Sequence, residues 1–297
     1  MPISDVKFVD TPLLRVGYEE LGEPGGQTVM LLHGFPYDVR SYDDVAPLLA
    51  RAGIRVVAPY LRGYGPTRFL ADQTMRSGQQ AALSQDLIDL MDALGIGHAI
   101  VAGYDWGGRA ASVTAALFPN RIDGLVTVSG YPIQDIAGSV EPAAPFDEQL
   151  DWYQYYFHSE RGRRGLERYR EDLCRSLWRD WSPEWPEAET AFAASAPSLH
   201  NPDFVDVAVH SYRHRFGLVD GDPRYDDLEH RLAQRPIISV PTVSIDSGAD
   251  GFGWFDSSEH APYFSGPFQR VVLPGVGHNP PQEAPAAFSE AVLMLMH

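Results

Sequence analysis

Residues 103–108 read Gly-Tyr-Asp-Trp-Gly-Gly, between an apolar stretch at 98–102 (HAIVA) and a helix-like one at 109–118 (RAASVTAALF). Small residues at 103, 107 and 108 suit a sharp strand–turn–helix connection, because larger side chains would collide there. The central residue, Asp105, would then project into the cleft at the carboxyl end of a sheet. A helix N-cap aspartate after a glycine turn has a similar local sequence, so the rest of the chain must decide.

Short apolar runs alternate with helix-length segments on both sides of this turn. The runs are Thr28–Leu32, Arg55–Ala58, Ala99–Ala102, Gly124–Val128, Thr242–Ile245 and Arg270–Leu273. Nearly continuous hydrophobic runs are typical of buried parallel strands. The helix pattern is clearest at Gln79–Leu94 and Gln282–Leu295. The alternation predicts an α/β fold with a mostly parallel central sheet and helices on both faces.

The alternation stops in the middle of the chain and then resumes. From about Tyr131 to Arg235 the sequence is rich in aromatic residues and arginine and has no strand signal. Such a pause favours an insertion over a tandem domain. We therefore expect a core at 1–131 and 236–297, and a helical cap at 132–235 whose aromatic residues wall the active site.

Composition excludes several classes of partner. The 297 residues carry a formal net charge of −17, which disfavours nucleic acid and anionic membranes. The sequence has one cysteine, Cys174, and neither a zinc-ligand spacing nor a phosphate-binding glycine loop, so no metal or other cofactor is expected. With no signal-peptide pattern or membrane-spanning stretch, a cytoplasmic protein is expected. The expected partner is a small-molecule substrate, and a homodimer is left open.

Three further motifs follow predicted strands. His33-Gly34-Phe35-Pro36 comes after the first apolar run, and the backbone N–H groups of Phe35 and Trp106 are candidates for an oxyanion hole. His278 follows the last strand, and Asp250 follows the one before it. A carboxylate there would orient the histidine and stabilise its charged form. Asp246 is the competing carboxylate.

The chain order Asp105, Asp250, His278 is the nucleophile–acid–histidine order of α/β hydrolases. Over nearly its full length, the chain resembles a member of that family. More narrowly, it resembles the branch with an aspartate nucleophile, which includes epoxide hydrolases and dehalogenases. The resemblance implies that Asp105 attacks a saturated carbon to form an alkyl ester. Water activated by His278, with Asp250 as its partner, would then hydrolyse that ester.

HGFP together with GxDWGG is most similar to soluble epoxide hydrolases. That family uses two cap tyrosines to protonate the epoxide oxygen, and the matching stretches here place them at Tyr153 and Tyr212, with Tyr155 as the rival of Tyr153. Further substrate contacts are expected from these residues: His33, Pro36, Trp106, Arg109, Trp152, Gln154 and Tyr155.

Two alternatives remain open. In haloalkane dehalogenases a tryptophan holds the halide at the position of Trp106, and fluoroacetate dehalogenases carry two arginines after the nucleophile. Only the second of these has a counterpart here, Arg109, which leaves an acidic substrate open. The other alternative is a non-hydrolytic protein of this fold, either a ligand receptor or a cofactor-free oxygenase.

Overall fold

In the computed structural model, which describes residues 3–253 and 255–296, nine strands form one sheet. The strands are β1 (Lys7–Asp10), β2 (Leu14–Leu21), β3 (Thr28–Leu32), β4 (Arg55–Pro59), β5 (Arg68–Phe69), β6 (Ala99–Gly103), β7 (Ile122–Val128), β8 (Thr242–Ser247) and β9 (Phe268–Leu273). Their spatial order is β1-β2-β4-β3-β6-β7-β8-β9, and β5 pairs with β2. From β4 to β9 neighbouring strands are parallel, whereas β2 is antiparallel to its three partners. The expected mostly parallel sheet is confirmed.

Helices account for most of the remaining regular structure. They are α1 (Val45–Arg51), α2 (Gln80–Ala93), α3 (Asp105–Leu117), α4 (Pro145–Leu150), α5 (Trp152–His158), α6 (Glu160–Arg168), α7 (Arg170–Trp181), α8 (Ala188–Ser195), α9 (Phe204–His214), α10 (Asp226–Leu232), α11 (Pro280–Glu283) and α12 (Pro285–Leu293). Within the described ranges, no helix is long and apolar enough to cross a bilayer.

Helices α4 to α9, which follow β7 and precede β8, are called the cap below. Helix α10 also falls inside the predicted 132–235 segment, yet it packs against α2 and α3 of the core. The Arg231 side chain donates to the carbonyl of Leu117, the last residue of α3, at 2.9 Å. This packing assigns α10 to the core. The predicted boundaries at 132 and 235 stay predictions.

The loop after β3 fastens the cap to the core. Asp38, which is buried, accepts hydrogen bonds from the hydroxyls of Ser195 (2.6 Å) and Ser198 on the cap. The indole N–H of Trp178, in α7, donates to the Pro36 carbonyl at 3.0 Å. Because this loop also carries Phe35, the cap fixes the position of a predicted oxyanion donor.

The first turn of α3 lies directly against the backbone at the ends of β3 and β6. A Cβ added to Gly107 would lie 1.9 Å from the Leu32 carbonyl oxygen, so only glycine allows α3 to begin this close to the end of β3. Strands β3 and β6 are buried throughout. The start of α3 is thereby held at the carboxyl edge of the parallel strands, where α/β folds place their sites.

Candidate active site

Asp105 is the first residue of α3, and its backbone adopts a φ of +51°. For a residue other than glycine this left-handed conformation costs about 1–3 kcal/mol and is often found at functional positions. It turns the side chain toward the loop after β3. There the carboxylate Oδ1 accepts the backbone N–H of Phe35 at 2.6 Å and of Trp106 at 2.5 Å. The two donors predicted for an oxyanion hole thus converge on one oxygen of Asp105.

The second carboxylate oxygen faces the histidine. His278 Nε2 lies 3.6 Å from Asp105 Oδ2, and His278 Nδ1 lies 2.9 Å from Asp250 Oδ2. The Asp250 side chain is 3% exposed. The structure therefore brings Asp105, His278 and Asp250 together in the order that the sequence predicted.

Asp246, the competing carboxylate, has other partners. Its Oδ2 accepts the side-chain N–H of Arg270 at 2.6 Å and the backbone N–H of Ser257 at 3.0 Å. It lies in β8 and is fully buried. The geometry assigns it to a structural ion pair.

The charges of the three groups depend on one another. Burial opposes the charged form of His278, but the carboxylates of Asp250 and Asp105 outweigh it and raise the pKa of His278 to about 10. Burial likewise opposes ionisation of Asp105, whereas His278, Arg109 and the Phe35 N–H together lower the pKa of Asp105. The free site consequently contains an imidazolium between two carboxylates.

The last residue of α7 connects the loops of the acid and the histidine. The Trp181 carbonyl accepts the backbone N–H of Gly251 at 2.9 Å and of His278 at 3.2 Å. A Cβ on Gly251 would lie 1.9 Å from the carbonyl oxygen of Asp180, so glycine is needed for this approach. The Trp181 ring also packs on the His278 ring, with centroids 4.8 Å apart.

Glu283, at the end of α11, holds the histidine loop from the other side. Its carboxylate accepts the backbone N–H of Gly277 (2.6 Å) and of Asn279 (2.9 Å), and the hydroxyl of Ser182 (2.7 Å). The Ser182 hydroxyl oxygen in turn accepts the N–H of His278 at 3.1 Å. The sequence reasoning missed Glu283 and Ser182. Glu283 lies five positions after His278, so a search for carboxylates close to the histidine in sequence would have found it.

Two tyrosines from the cap pack against each other near the nucleophile, close enough for its charge to act on both. Tyr153 comes from α5 and Tyr212 from α9, both are buried, and their ring centroids lie 5.2 Å apart. Burial raises the pKa of each hydroxyl, so both remain protonated donors at neutral pH. Tyr155, the rival of Tyr153, is 37% exposed and donates its hydroxyl proton to Glu148 on the cap surface.

Trp106 and Tyr212 keep buried polar atoms without a well-formed hydrogen bond. Among the residues that the structure describes, neither Trp106 Nε1 nor the Tyr212 hydroxyl has a partner of good geometry. Although burial dominates and raises the pKa of Tyr212, Tyr153 and Trp106 are close enough to lower it in part. Unsatisfied buried donors at one place are typical of a site that awaits a ligand.

His33 and Pro36 serve the loop rather than the cleft. His33 is fully buried, donates from Nδ1 to the Gly34 carbonyl (2.9 Å) and accepts the Leu61 N–H at Nε2 (3.1 Å). Burial lowers its pKa to about 4, so its ring is neutral. Neither residue is among the cleft-lining residues of the described chain.

A cleft of about 540 Å³ leads from the surface to Asp105. Its described walls comprise Asp105, Arg109, Phe146, Asp147, Leu150, Asp151, Tyr153, Gln154, Arg215, Phe252, Gly253 and Phe255. Of the predicted substrate contacts, Arg109 and Gln154 lie here. Trp106 and the predicted acid Tyr212 are buried, whereas Trp152 and Tyr155 are partly exposed on the cap, and none of these four is among the described lining residues. Arg215, which sequence reasoning missed, lies three positions after Tyr212, a spacing that puts both on one helix face.

An α/β sheet with an acid, a histidine and a strained aspartate turn at its carboxyl edge defines a class of enzyme. The chain belongs to the α/β hydrolase fold family, which matches residues 27–242. It is a hydrolase, as the sequence predicted.

Comparison with known proteins indicates which α/β hydrolases the chain resembles. The chain is 43% identical to a candidate epoxide hydrolase from Klebsiella pneumoniae subsp. pneumoniae, over 98% of this chain and 97% of that one, with a TM-score of 0.96. It is 27% identical to epoxide hydrolase A of Mycobacterium tuberculosis, covering 97% of this chain and 95% of the relative. An epoxide hydrolase of Caballeronia sordidicola is 28% identical over 77% of this chain and 66% of the relative. The similarity to soluble epoxide hydrolases is confirmed.

Proposed function

We propose that the protein opens epoxides to vicinal diols through a covalent ester on Asp105. The observation that carries this proposal is the pair of buried cap tyrosines, Tyr153 and Tyr212, which pack against each other within the electrostatic influence of the Asp105 carboxylate. An epoxide oxygen leaves as an alkoxide, which is a poor leaving group unless a proton donor meets it. Relatives named as epoxide hydrolases, along nearly the whole chain, support the same reaction.

In the first step Asp105 Oδ2 attacks one epoxide carbon, and the bond from that carbon to oxygen breaks. The developing alkoxide takes a proton from Tyr153 or Tyr212, leaving a tyrosinate. The ester has no charge, so His278 loses one of the two carboxylates that raise its pKa. His278 then gives its proton to the tyrosinate through solvent in the cleft, and both groups become neutral.

In the second step neutral His278 removes a proton from water, and the hydroxide adds to the ester carbonyl. The carbonyl oxygen is Oδ1, which the N–H groups of Phe35 and Trp106 already contact. Preorganised donors of this kind stabilise the tetrahedral oxyanion. Collapse transfers the acid proton to the departing alkoxide, releases the diol and restores the Asp105 carboxylate beside an imidazolium.

A dehalogenase is the second candidate, and one observation favours it. Trp106 Nε1 is a buried donor without a well-formed bond, next to the nucleophile, where it could stabilise a leaving halide. The same Asp105 and His278 chemistry would then apply, and no proton donor would be needed for the leaving group.

The ester can be trapped in a variant that lacks the base. We expect His278→Gln, incubated with styrene oxide, to gain the mass of one substrate molecule at Asp105, because alkylation proceeds and hydrolysis stops. Asp105→Asn is the matched control and should gain no mass.

Assays of diol and halide release distinguish the two candidates. Diol from styrene oxide, without halide from 1-bromobutane or chloroacetate, supports the proposal. Halide release without diol would favour the dehalogenase over the epoxide hydrolase. If His278→Gln gained no adduct from styrene oxide, 1-bromobutane or chloroacetate, both candidate functions would be refuted.

A further inference from the structure

We propose that the natural substrate is an epoxide that carries a carboxylate, bound between Arg109 and Arg215 in the cleft. This inference rests on the proposed function, since it specifies the substrate of the same site. It starts from two half-buried arginines that line one cleft with the nucleophile.

Arg109 lies in α3, four positions after Asp105. Its Nε donates to the Pro132 carbonyl at 3.3 Å, and no carboxylate of the described chain lies within ion-pair distance of it. Burial, together with the charge of Arg215, lowers the pKa of Arg109 to about 10. The guanidinium therefore faces the cleft with hydrogen-bond donors to spare.

Arg215 has the same character on the opposite wall. Its guanidinium lies over the Tyr212 ring, 4.3 Å from the centroid, and Nη1 donates to the amide oxygen of Gln154 at 3.2 Å. A longer contact, of 3.5 Å, joins Nη2 to the Ser211 hydroxyl, and Nε is buried without a partner. All of these partners are neutral. Two guanidinium groups of like charge thus share a cleft, which a bound anion would stabilise.

The acidic residues of the cleft do not neutralise this pair by direct contact. Asp105 is engaged by His278 and by two backbone N–H groups. Asp151 accepts the Gln154 side-chain N–H, and burial raises its pKa although the charge of Arg215 opposes this rise. Asp147, also in the lining, is on the exposed helix α4. Both arginines line the cleft together with the nucleophile Asp105.

The remaining walls suggest the rest of the substrate. Leu150 and Phe252 line the same cleft, and Phe146 lies at its exposed edge. Because Arg215 packs directly on Tyr212, a carboxylate bound to it would lie close to the epoxide oxygen that Tyr212 protonates. The expected substrate class is therefore a 2,3-epoxy acid with an aryl or alkyl group on the other epoxide carbon.

The test compares two substrates that differ only in charge, 3-phenylglycidate and 3-phenylglycidamide. We expect the wild type to favour the acid in kcat/KM by about 10- to 100-fold, the range that corresponds to charge-assisted hydrogen bonds. Arg109→Gln and Arg215→Gln should each reduce this acid-to-amide ratio by about 10-fold or more. A substitution that impairs the nucleophile lowers kcat/KM for both substrates, so this effect cancels in the acid-to-amide ratio.

Arg164→Gln is the matched control, since its side chain is 77% exposed on the cap surface and pairs with Glu160. Its ratio should equal that of the wild type. An acid-to-amide ratio near one in the wild type, with both substrates turned over, would overturn the inference and leave the epoxide hydrolase intact.

A binding measurement keeps the inference testable without turnover. Calorimetry with 3-phenylpropanoate and 3-phenylpropanamide should show binding of the acid alone, lost in both arginine variants and kept in Arg164→Gln. If no epoxide is opened but the acid binds in this way, the proposed function fails while the anion site stands. If styrene oxide is opened and the acid does not bind, the anion site fails.

Discussion

The catalytic triad and the polar groups around it differ in where their partners come from. In the triad, Asp105, His278 and Asp250 contact one another and backbone N–H groups. Around the triad, Trp106 Nε1, the Tyr212 hydroxyl and Arg215 Nε are buried without a well-formed hydrogen bond. The chemistry is thus preorganised by the protein, whereas recognition is left for the substrate to complete.

This contrast predicts two kinds of variant. A change in the triad should lower turnover for every substrate by a similar factor. The effect of a change among the surrounding groups should depend on which substrate is offered.

The largest effect is expected from the partner of the histidine. Asp250→Asn should lower kcat by about 10³- to 10⁴-fold, because an amide neither stabilises the imidazolium nor fixes its tautomer. Asp246→Asn, four positions away, is the matched control, and it should keep kcat while lowering the melting temperature, since Asp246 pairs with Arg270. Equal losses of kcat in the two variants would contradict the assignment of Asp250 as the partner of His278.

The cap tyrosines should have the next largest effect. Tyr153→Phe and Tyr212→Phe should each lower the rate of ester formation from styrene oxide by about 10- to 100-fold, and the double variant by more, because either hydroxyl can donate the proton. Stopped-flow tryptophan fluorescence and quenched mass spectrometry would follow this step. Tyr155→Phe is the control, and a loss there equal to that of Tyr153→Phe would contradict the assignment.

A smaller effect is expected from Glu283, a positioning residue. Glu283→Gln replaces one acceptor oxygen with an amide that faces a backbone N–H, so the loop that carries His278 loosens. We expect kcat to fall about 10-fold with KM nearly unchanged, as for other residues that orient a catalytic group.

The pH profile distinguishes this role from a general loss of stability. The limb of the kcat profile that belongs to His278 should shift in Glu283→Gln, and Glu283→Asp should restore part of it. A fall in kcat with an unchanged profile would mean that Glu283 supports the fold alone.

The smallest effect is on stability. The pKa of His278 is raised to about 10 in the folded chain, against about 6.5 in an unfolded one. The added stability is therefore complete below about pH 6.5 and is lost as the pH rises toward 10. The melting temperature of the wild type should fall by a few degrees more than that of His278→Gln across this interval. Parallel melting curves for the two proteins would contradict the raised pKa.

The core was predictable because its signals are local and periodic. The apolar runs gave β3 and β6 within one residue, since a strand that is buried on both faces is continuous in hydrophobic residues. The antiparallel strands β1 and β2 were missed, because β1 is largely exposed and has no such run. A position just after the strand favoured Asp250 over Asp246, which lies at the end of the strand, and the geometry makes the same choice.

The contacts of the cap helices were not predictable from the sequence. No periodicity tells which aromatic side chain of α5 faces the cleft, so Tyr155 and Trp152 were expected there and lie outside it. Arg215 and Glu283 act through loops and helix ends whose meeting is set by tertiary packing. Only their short separations from Tyr212 and His278 are visible in the sequence.

The backbone carbonyl of Trp181 makes the cap part of the support of the catalytic triad. Because the Trp181 oxygen accepts N–H groups from the loops of both Asp250 and His278, α7 cannot move away without releasing the acid and the base together. An outward movement of α7 would therefore break backbone contacts of both loops, whereas the cleft lined by Phe146 and Phe252 reaches Asp105 with the cap in place. Exchanging the cap for that of a relative would therefore also exchange part of the support of the triad. The new cap would have to place a backbone carbonyl where the Trp181 oxygen accepts the N–H groups of Gly251 and His278.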